Sequence, residues 1–229
     1  MTLPYGATKR ACTDHIFRCI YEQSRGYFKG TVHDDMKGDF GAALYLTEIL
    51  WQSIGEVVVS ARLAMDFVRD CAAVMQKQGK PITWTTPLGF PVYQGSTEIK
   101  VRQVDTQLCG RLQLRVASET TKLDLSKQKQ GGPPNFVHSQ DATHMLMTVL
   151  AAHKRGVTSF AMIHDDFGTH ASDVDALHVA IRESFVKLYT KHDPLTEFRD
   201  GLQGKGLPEV PVKGKLDITG VMDAQFFFG

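Results

Sequence analysis

Residues 159 to 170 carry the pattern that most narrows the local structure of this chain. Ser159-Phe160-Ala161-Met162-Ile163 is an apolar run of strand length, His164-Asp165-Asp166 interrupts it, and Phe167-Gly168-Thr169-His170 resumes it. Each run is too short for a stable helix, whereas a strand, a tight turn and a second strand fit. Two carboxylates then stand at the tip. Buried or half-buried at about 4 Å in an effective dielectric near 20, they would repel by roughly 4 kcal/mol. A divalent cation turns that repulsion into affinity. Mg²⁺ favours one or two carboxylates together with phosphate oxygens, and paired ions stabilise both the attacking and the leaving oxygen of a phosphoryl transfer. A polar turn with two solvated acids fits the same spacing, because aspartate is favoured in turns whatever their role. His164 suits a hydrogen-bonded structural residue as well as a ligand.

The rest of the chain mixes helix and strand periods. From about Asp39 to Gln78, Ala43, Leu46, Ile49, Leu50, Ile54 and Val57 recur at helical steps. Gly55 and Val57-Val58-Val59 weaken that pattern enough for two helices, and Gly79 suits a C-cap. Ile82 to Thr85 reads as a short strand, Pro87-Leu88-Gly89 as a turn and Phe90 to Gln94 as an edge strand. Ile99 to Val104 and Leu112 to Val116 alternate apolar with polar residues around Cys109-Gly110, a hairpin pattern. The span 97–131 carries Lys100, Arg102, Arg111, Arg115, Lys122, Lys127 and Lys129 against Glu98, Asp105, Glu119 and Asp124. Such a basic ribbon fits a DNA groove; it also fits a solvated hairpin. Gly131-Gly132-Pro133-Pro134 reads as a break and places the main boundary there. Helix signals return from Ser139 to Arg155, with Gly156 as the stop. Beyond the acidic turn, Ser172 and Asp175 have capping-box spacing. A helix follows with Leu177, Ala180, Ile181, Ser184, Phe185, Leu188 and Tyr189 on one face, ended by Pro194. The expected class is α+β.

Composition narrows the function classes. With 42% hydrophobic and 22% charged residues over 229 positions, the chain can build one large domain or two modest ones, which excludes disorder. Its net charge is +1, so any nucleic-acid surface must arise from local segregation of charge. Cys12, Cys19, Cys71 and Cys109 lack zinc-knuckle spacing and read as reduced, buried thiols of a cytoplasmic protein. Glu48, Glu56, Arg62 and Asp66 interrupt the longest apolar candidates before they reach membrane-spanning length, so no membrane partner is expected.

Taken in order, several segments resemble the single-subunit, bacteriophage-type DNA-directed RNA polymerases. Met1-Thr2-Leu3-Pro4-Tyr5-Gly6 is similar to the end of their fingers-helix motif. Pro133-Pro134-Asn135-Phe136-Val137-His138-Ser139-Gln140-Asp141 resembles the segment before their palm helix. Ser159 to Thr169 resembles their third catalytic motif, and Phe226-Phe227-Phe228-Gly229 their short aromatic tail. The segment from Trp84 to Gln94 matches in character.

The resemblance implies a right-hand polymerase fold, with distal fingers over 1–137, a specificity hairpin at about 97–131, and a carboxy-terminal palm over 138–229 whose catalytic β-hairpin is flanked by helices. It implies that Asp165 binds Mg²⁺ and that His164 supports the site. Tyr5 and Gly6 would bind nucleotide and template, with His138 near the nucleotide sugar. Asp105, Gln113 and Arg115 would read promoter bases. Asp166 stands where the family often has a small hydroxyl residue, and it is expected to be a bystander. The implied partners are a DNA template or promoter, ribonucleoside triphosphates and the RNA product, in the host cytoplasm if the gene belongs to a phage. The family's second metal-binding aspartate and its triphosphate-binding basic residues lie upstream of the match to Met1. The chain is therefore expected to be inactive alone and to need the amino-terminal part of the polymerase. Two other readings remain open on the residues. One is a metal-dependent phosphohydrolase built on His164-Asp165 with His138, His144 or His153. The other is a non-catalytic nucleic-acid-binding remnant.

Overall fold

The computed structural model describes residues 8–24, 28, 35–107, 110 and 112–227, the side chains of 24 and 35–37 excepted. The chain divides into two compact units, Met1–Asp66 and Phe67–Gly229.

In the first unit, helices α1 (Lys9–Ser24) and α2 (Asp35–Val57) pack together. Phe17 meets Phe40 edge-on at 5.7 Å and stacks on Tyr21 at 5.9 Å. Lys9 and Glu48 form an ion pair. Asp39 is fully buried and accepts the Phe28 backbone N–H at 3.3 Å, which offsets part of its desolvation. The weak point at residues 55–59 is a real break: α2 ends at Val57 and α3 (Val59–Lys77) begins two residues later. Cys12 is half-buried and Cys19 exposed, so among the described cysteines only Cys71 matches the expectation of a buried thiol. Burial, with Asp70 adding repulsion, pushes the Cys71 thiol up to about 12.

The second unit is organised around one long helix. Helix α3 is stopped by Gly79, two residues past its end, whose φ of 69° is open to glycine at little strain. The Lys80 N–H bonds back to the Met75 carbonyl and the Gly79 N–H to that of Gln76, a Schellman closure. Strands β1 (Ile82–Thr85) and β2 (Pro91–Gln94) pair antiparallel, Ile82 opposite Gln94. The Thr86–Phe90 turn between them is fixed by Gly89 at φ 85° and by the Gly89 N–H on the Thr86 carbonyl. Strands β3 (Thr97–Thr106) and β4 (Leu112–Leu123) form a long ribbon exposed on both faces. Helix α4 (Leu125–His153) follows at once.

The expected break at Gly131-Gly132-Pro133-Pro134 is absent, because α4 runs through it. A proline inside a helix removes a hydrogen bond and costs about 3 kcal/mol. Here Gly132 and Pro133 are buried, with Gly132 facing Val68 and Ile82, so tertiary burial offsets the local penalty. The first two turns of α4 also absorb Lys127 and Lys129, which shortens the ribbon from the expected 97–131 to 97–123.

The core joins α3, β1, α4 and the short α6 (Pro194–Gly201) through Phe67, Trp84, Phe136 and Phe198. Phe198 meets Phe136 at 5.0 Å, Trp84 at 5.7 Å and Phe67 at 6.4 Å, all at steep angles, the edge-to-face geometry that aromatic quadrupoles favour. Pro194 is the first residue of α6, capped by Asp193, as well as the stop for α5 (Val174–Lys191). The Ser172–Asp175 capping box does not form. A short 3₁₀ turn, Ala171–Asp173, leads into α5 and Ser172 Oγ turns to Asp173.

Phe198 is 2% exposed. Phe198→Ala should lower stability by about 3–5 kcal/mol, read as a lower denaturant midpoint in a chemical unfolding curve with an unchanged slope.

Candidate functional site

The acidic segment folds as expected into a hairpin, β5 (Ala161–Ile163) against β6 (Asp166–Gly168), with Ile163 opposite Asp166. His164 and Asp165 are its two loop residues, and His164 has a φ of 55°. Tight hairpin turns need a positive φ at their first loop position, and histidine tolerates it better than most side chains. Alternation does the positioning. Met162 and Phe167 pair and pack on the cluster of Ala152, Val157, Leu177 and Ala180. Ile163 and the tip residues His164, Asp165 and Asp166 are exposed.

The paired small residues Ala161 and Gly168 let the strands close; a Cβ on Gly168 would sit 3.1 Å from the Ala161 carbonyl oxygen. Thr169 Oγ1 donates to the Ser159 carbonyl at 2.8 Å and clasps the hairpin base. Upstream, a second Schellman closure ends α4: the Val157 N–H bonds the Ala152 carbonyl, with Gly156 at φ 93°. Val157 is 1% exposed, so the chain enters β5 from a buried anchor.

His138, on α4, reaches the same place. Its ring lies 5.9 Å from that of His164, tilted by 40°. Both rings line a cleft of about 700 Å³ floored by Met145, Leu146 and Met162. The helix is locked in this register by Trp84, whose indole N–H donates to Ser139 Oγ at 2.9 Å while that hydroxyl donates to the Phe136 carbonyl at 2.7 Å. Asn135 Nδ2 adds a bond to Gln94 Oε1 at 2.5 Å. Two of the expected site residues, remote in sequence, are thus brought together with Asp165 next in the chain.

Asp165 and Asp166 are both exposed. The repulsion expected for a half-buried pair is therefore largely screened, and at about 4 Å in water it would fall to about 1 kcal/mol. Asp166 opens β6 rather than sharing the two-residue loop. Tyr5 and Gly6 lie outside the described residues. Among the described residues no group of three or more His, Cys, Asp or Glu is arranged to hold a metal ion. The ligand set of the phosphohydrolase reading does not assemble. His144 is buried and bonds the Ile181 carbonyl at 2.9 Å, and His153 bonds the Val157 carbonyl at 3.2 Å.

On the ribbon, Asp105 pairs with Gln113 and Gln103 with Arg115. In a strand pair residues two apart share a face, so the three residues singled out in the sequence lie together, and Gln103 joins them. Only the register reveals it, because Gln103 carries no charge to draw notice. The ribbon is tied to α4 at its root: the Asp124 N–H bonds the Ser96 carbonyl at 2.9 Å and the Asp124 carboxylate caps the helix at Lys127.

Residues 1–205 match the family model for DNA-dependent RNA polymerase. The chain belongs to that family, in its single-subunit, phage-type branch. Over 231 aligned residues covering all of this chain it is 36% identical to "DNA-directed RNA polymerase 2, chloroplastic/mitochondrial" of Arabidopsis thaliana and 36% identical to "DNA-directed RNA polymerase 1, mitochondrial" of Nicotiana sylvestris. It spans 22% of each of those relatives, about a fifth of their length. It is 35% identical to "DNA-directed RNA polymerase 2A" of Nicotiana tabacum, of which it covers 66%. Among the described residues no helix is long and apolar enough to cross a membrane.

Arg182 and His144 are the site's hidden supports. Arg182, 5% exposed on α5, donates to the carbonyls of Val221 at 3.1 Å and Ala224 at 2.7 Å, and Phe227 packs on Phe185 at 4.8 Å. The carboxy-terminal segment is thereby held on α5. His144 lies edge-on to both Phe167 and Phe185. Burial holds its pKa below the ordinary 6.5, against the raising effects of the Ile181 carbonyl and Asp141. The folded state then binds fewer protons than the unfolded one, so this contribution is full above pH 6.5 and is lost as pH falls below it. Thermal unfolding should show a drop in melting temperature between about pH 7.5 and 5.5 that shrinks in His144→Gln.

Proposed function

We propose that this chain forms the distal fingers, over 1–137, and the carboxy-terminal palm, over 138–229, of a right-hand RNA polymerase. Its reaction is template-dependent nucleotidyl transfer from ribonucleoside triphosphates. The observation that carries the reading is the convergence of His138 and His164, with Asp165 beside them on an exposed hairpin tip, in a chain of this family.

Asp165 fits Mg²⁺ as one hard oxygen ligand on a rigid support, since magnesium takes few protein carboxylates and completes its shell with water and phosphate. Bound there, the ion would neutralise charge developing on the transferred phosphoryl group. The chain's own residues position. His164 orients the turn, and His138 faces the sugar of the incoming nucleotide across the cleft. Tyr5 and Gly6 take the nucleotide and template side. Gln103, Asp105, Gln113 and Arg115 present donors and acceptors to base edges in the promoter's major groove, the chemistry that distinguishes base pairs there. The second metal carboxylate and the triphosphate clamp come from the amino-terminal part of the polymerase, so the isolated chain does not synthesise RNA. Expression in a host cytoplasm from a phage gene is the setting this reading implies.

Two run-off transcription assays check this. The isolated chain should give no product with a promoter-bearing template. Grafted into the Arabidopsis relative in place of the matching region, it should restore synthesis, and Asp165→Asn in the graft should reduce it about 10³-fold, the several kcal/mol a metal contributes to the transition state. An unimpaired Asp165→Asn graft refutes the assignment, and robust synthesis by the isolated chain refutes its dependence on the amino-terminal part.

A further inference from the structure

The His138–His164 cleft does not end at the hairpin. A second pocket of about 330 Å³ lies on the next stretch of α4, floored by Met147 and Leu150 and walled by Pro87 and Leu88. The rigid Thr86–Phe90 turn contributes to both pockets, Thr86 and Phe90 to the first and Pro87 and Leu88 to the second. The far end is cationic. Lys154, Arg155 and Lys187 line it against one acid, Glu183, which Arg155 already neutralises at 2.5 Å; His192, also in the lining, bonds Glu197 at 2.9 Å. Lys154 and Lys187 are exposed. A lysine near a helix C-terminus gains from the helix dipole wherever it occurs. That accounts for Lys154 alone but not for its convergence with Lys187, which lies a full turn inside α5.

We propose that α4 floors a continuous track for one single-stranded segment of nucleic acid, running from the His138–His164 cleft to a phosphate-binding end at Lys154, Arg155 and Lys187. This rests on the polymerase reading for the identity of the strand. A polyanion matches the uncompensated charge. A nucleic acid rather than an acidic peptide matches the rest, because Phe90, 66% exposed, lines the first pocket on the turn that also walls the second, and bases stack on such rings while basic side chains follow the phosphates. From His138 to Lys154 the helix rises about 24 Å, room for roughly seven stacked nucleotides at 3.4 Å each.

Fluorescence anisotropy with a fluorescein-labelled mixed-sequence RNA of about 12 nucleotides, titrated with the chain at several salt concentrations in EDTA, tests this without catalysis or metal. Lys154→Glu/Lys187→Glu should weaken binding about tenfold or more and lower the salt slope by about 1.4, the value for two lost phosphate contacts on a single strand. Phe90→Ala should weaken it by about tenfold, with the slope unchanged. The same charge change outside the groove, Lys77→Glu/Lys205→Glu, should alter affinity by no more than about twofold, and far-ultraviolet circular dichroism checks that each variant is folded. The track is overturned if the groove variant binds like the parent, if the control pair weakens binding as much, or if polyglutamate of equal charge competes as well as unlabelled RNA. Because the readout needs neither Asp165 nor synthesis, an inactive graft with groove-dependent binding leaves the track standing and removes only the catalytic reading.

Discussion

The contact on which the second unit depends is the meeting of Phe198 with Trp84 and Phe136. Three elements from distant parts of the chain, α6, β1 and α4, bury their aromatic rings in one place. Burying three such rings supplies several kcal/mol, a large share of the net stability of a domain this size. The cluster also carries a polar latch. Trp84 reaches Ser139, the residue after His138, so the interaction that stabilises the core also sets the rotation of α4. A helix turned by one residue would swing its side chains by about 100° and take His138 away from His164.

The hairpin is built on the complementary principle. It has only three residues per strand, too few to hold themselves together, and it borrows stability from the cluster of Ala152, Val157, Leu177 and Ala180 on which its Met162 and Phe167 pack. The packed pair lies on that cluster, and the exposed turn carries His164 and Asp165. Loops that work are commonly mounted on rigid scaffolds in this way.

Much of this was legible in the residues. The hairpin, the two-helix break near Val58, the Gly79 and Gly156 stops and the β1–β2 turn all follow from local rules, because each depends on the chain's own dihedrals or on a period short enough to read. The misreadings share a cause. Gly131-Gly132-Pro133-Pro134 signals a break locally, yet burial against Val68 and Ile82 overrides it. Ser172 and Asp175 have the right spacing for a capping box, but a 3₁₀ turn takes that position. The screened state of the two aspartates, the buried Arg182 and the place of Gln103 opposite Arg115 depend on partners far along the chain, which no local period encodes. No local period places His138 beside His164; their juxtaposition rests on the register of α4.

Arg182 has a consequence for folding. Its guanidinium is buried, and the carbonyls that satisfy it belong to Val221 and Ala224. Within α5 itself His178 Nδ1 meets the guanidinium at 2.9 Å; until residues 221–224 are in place its two carbonyl acceptors are missing, and an under-compensated buried charge costs several kcal/mol. Helix α5 therefore stays open to solvent until the segment around residues 221–227 packs on it, so that segment is what allows the interior to close.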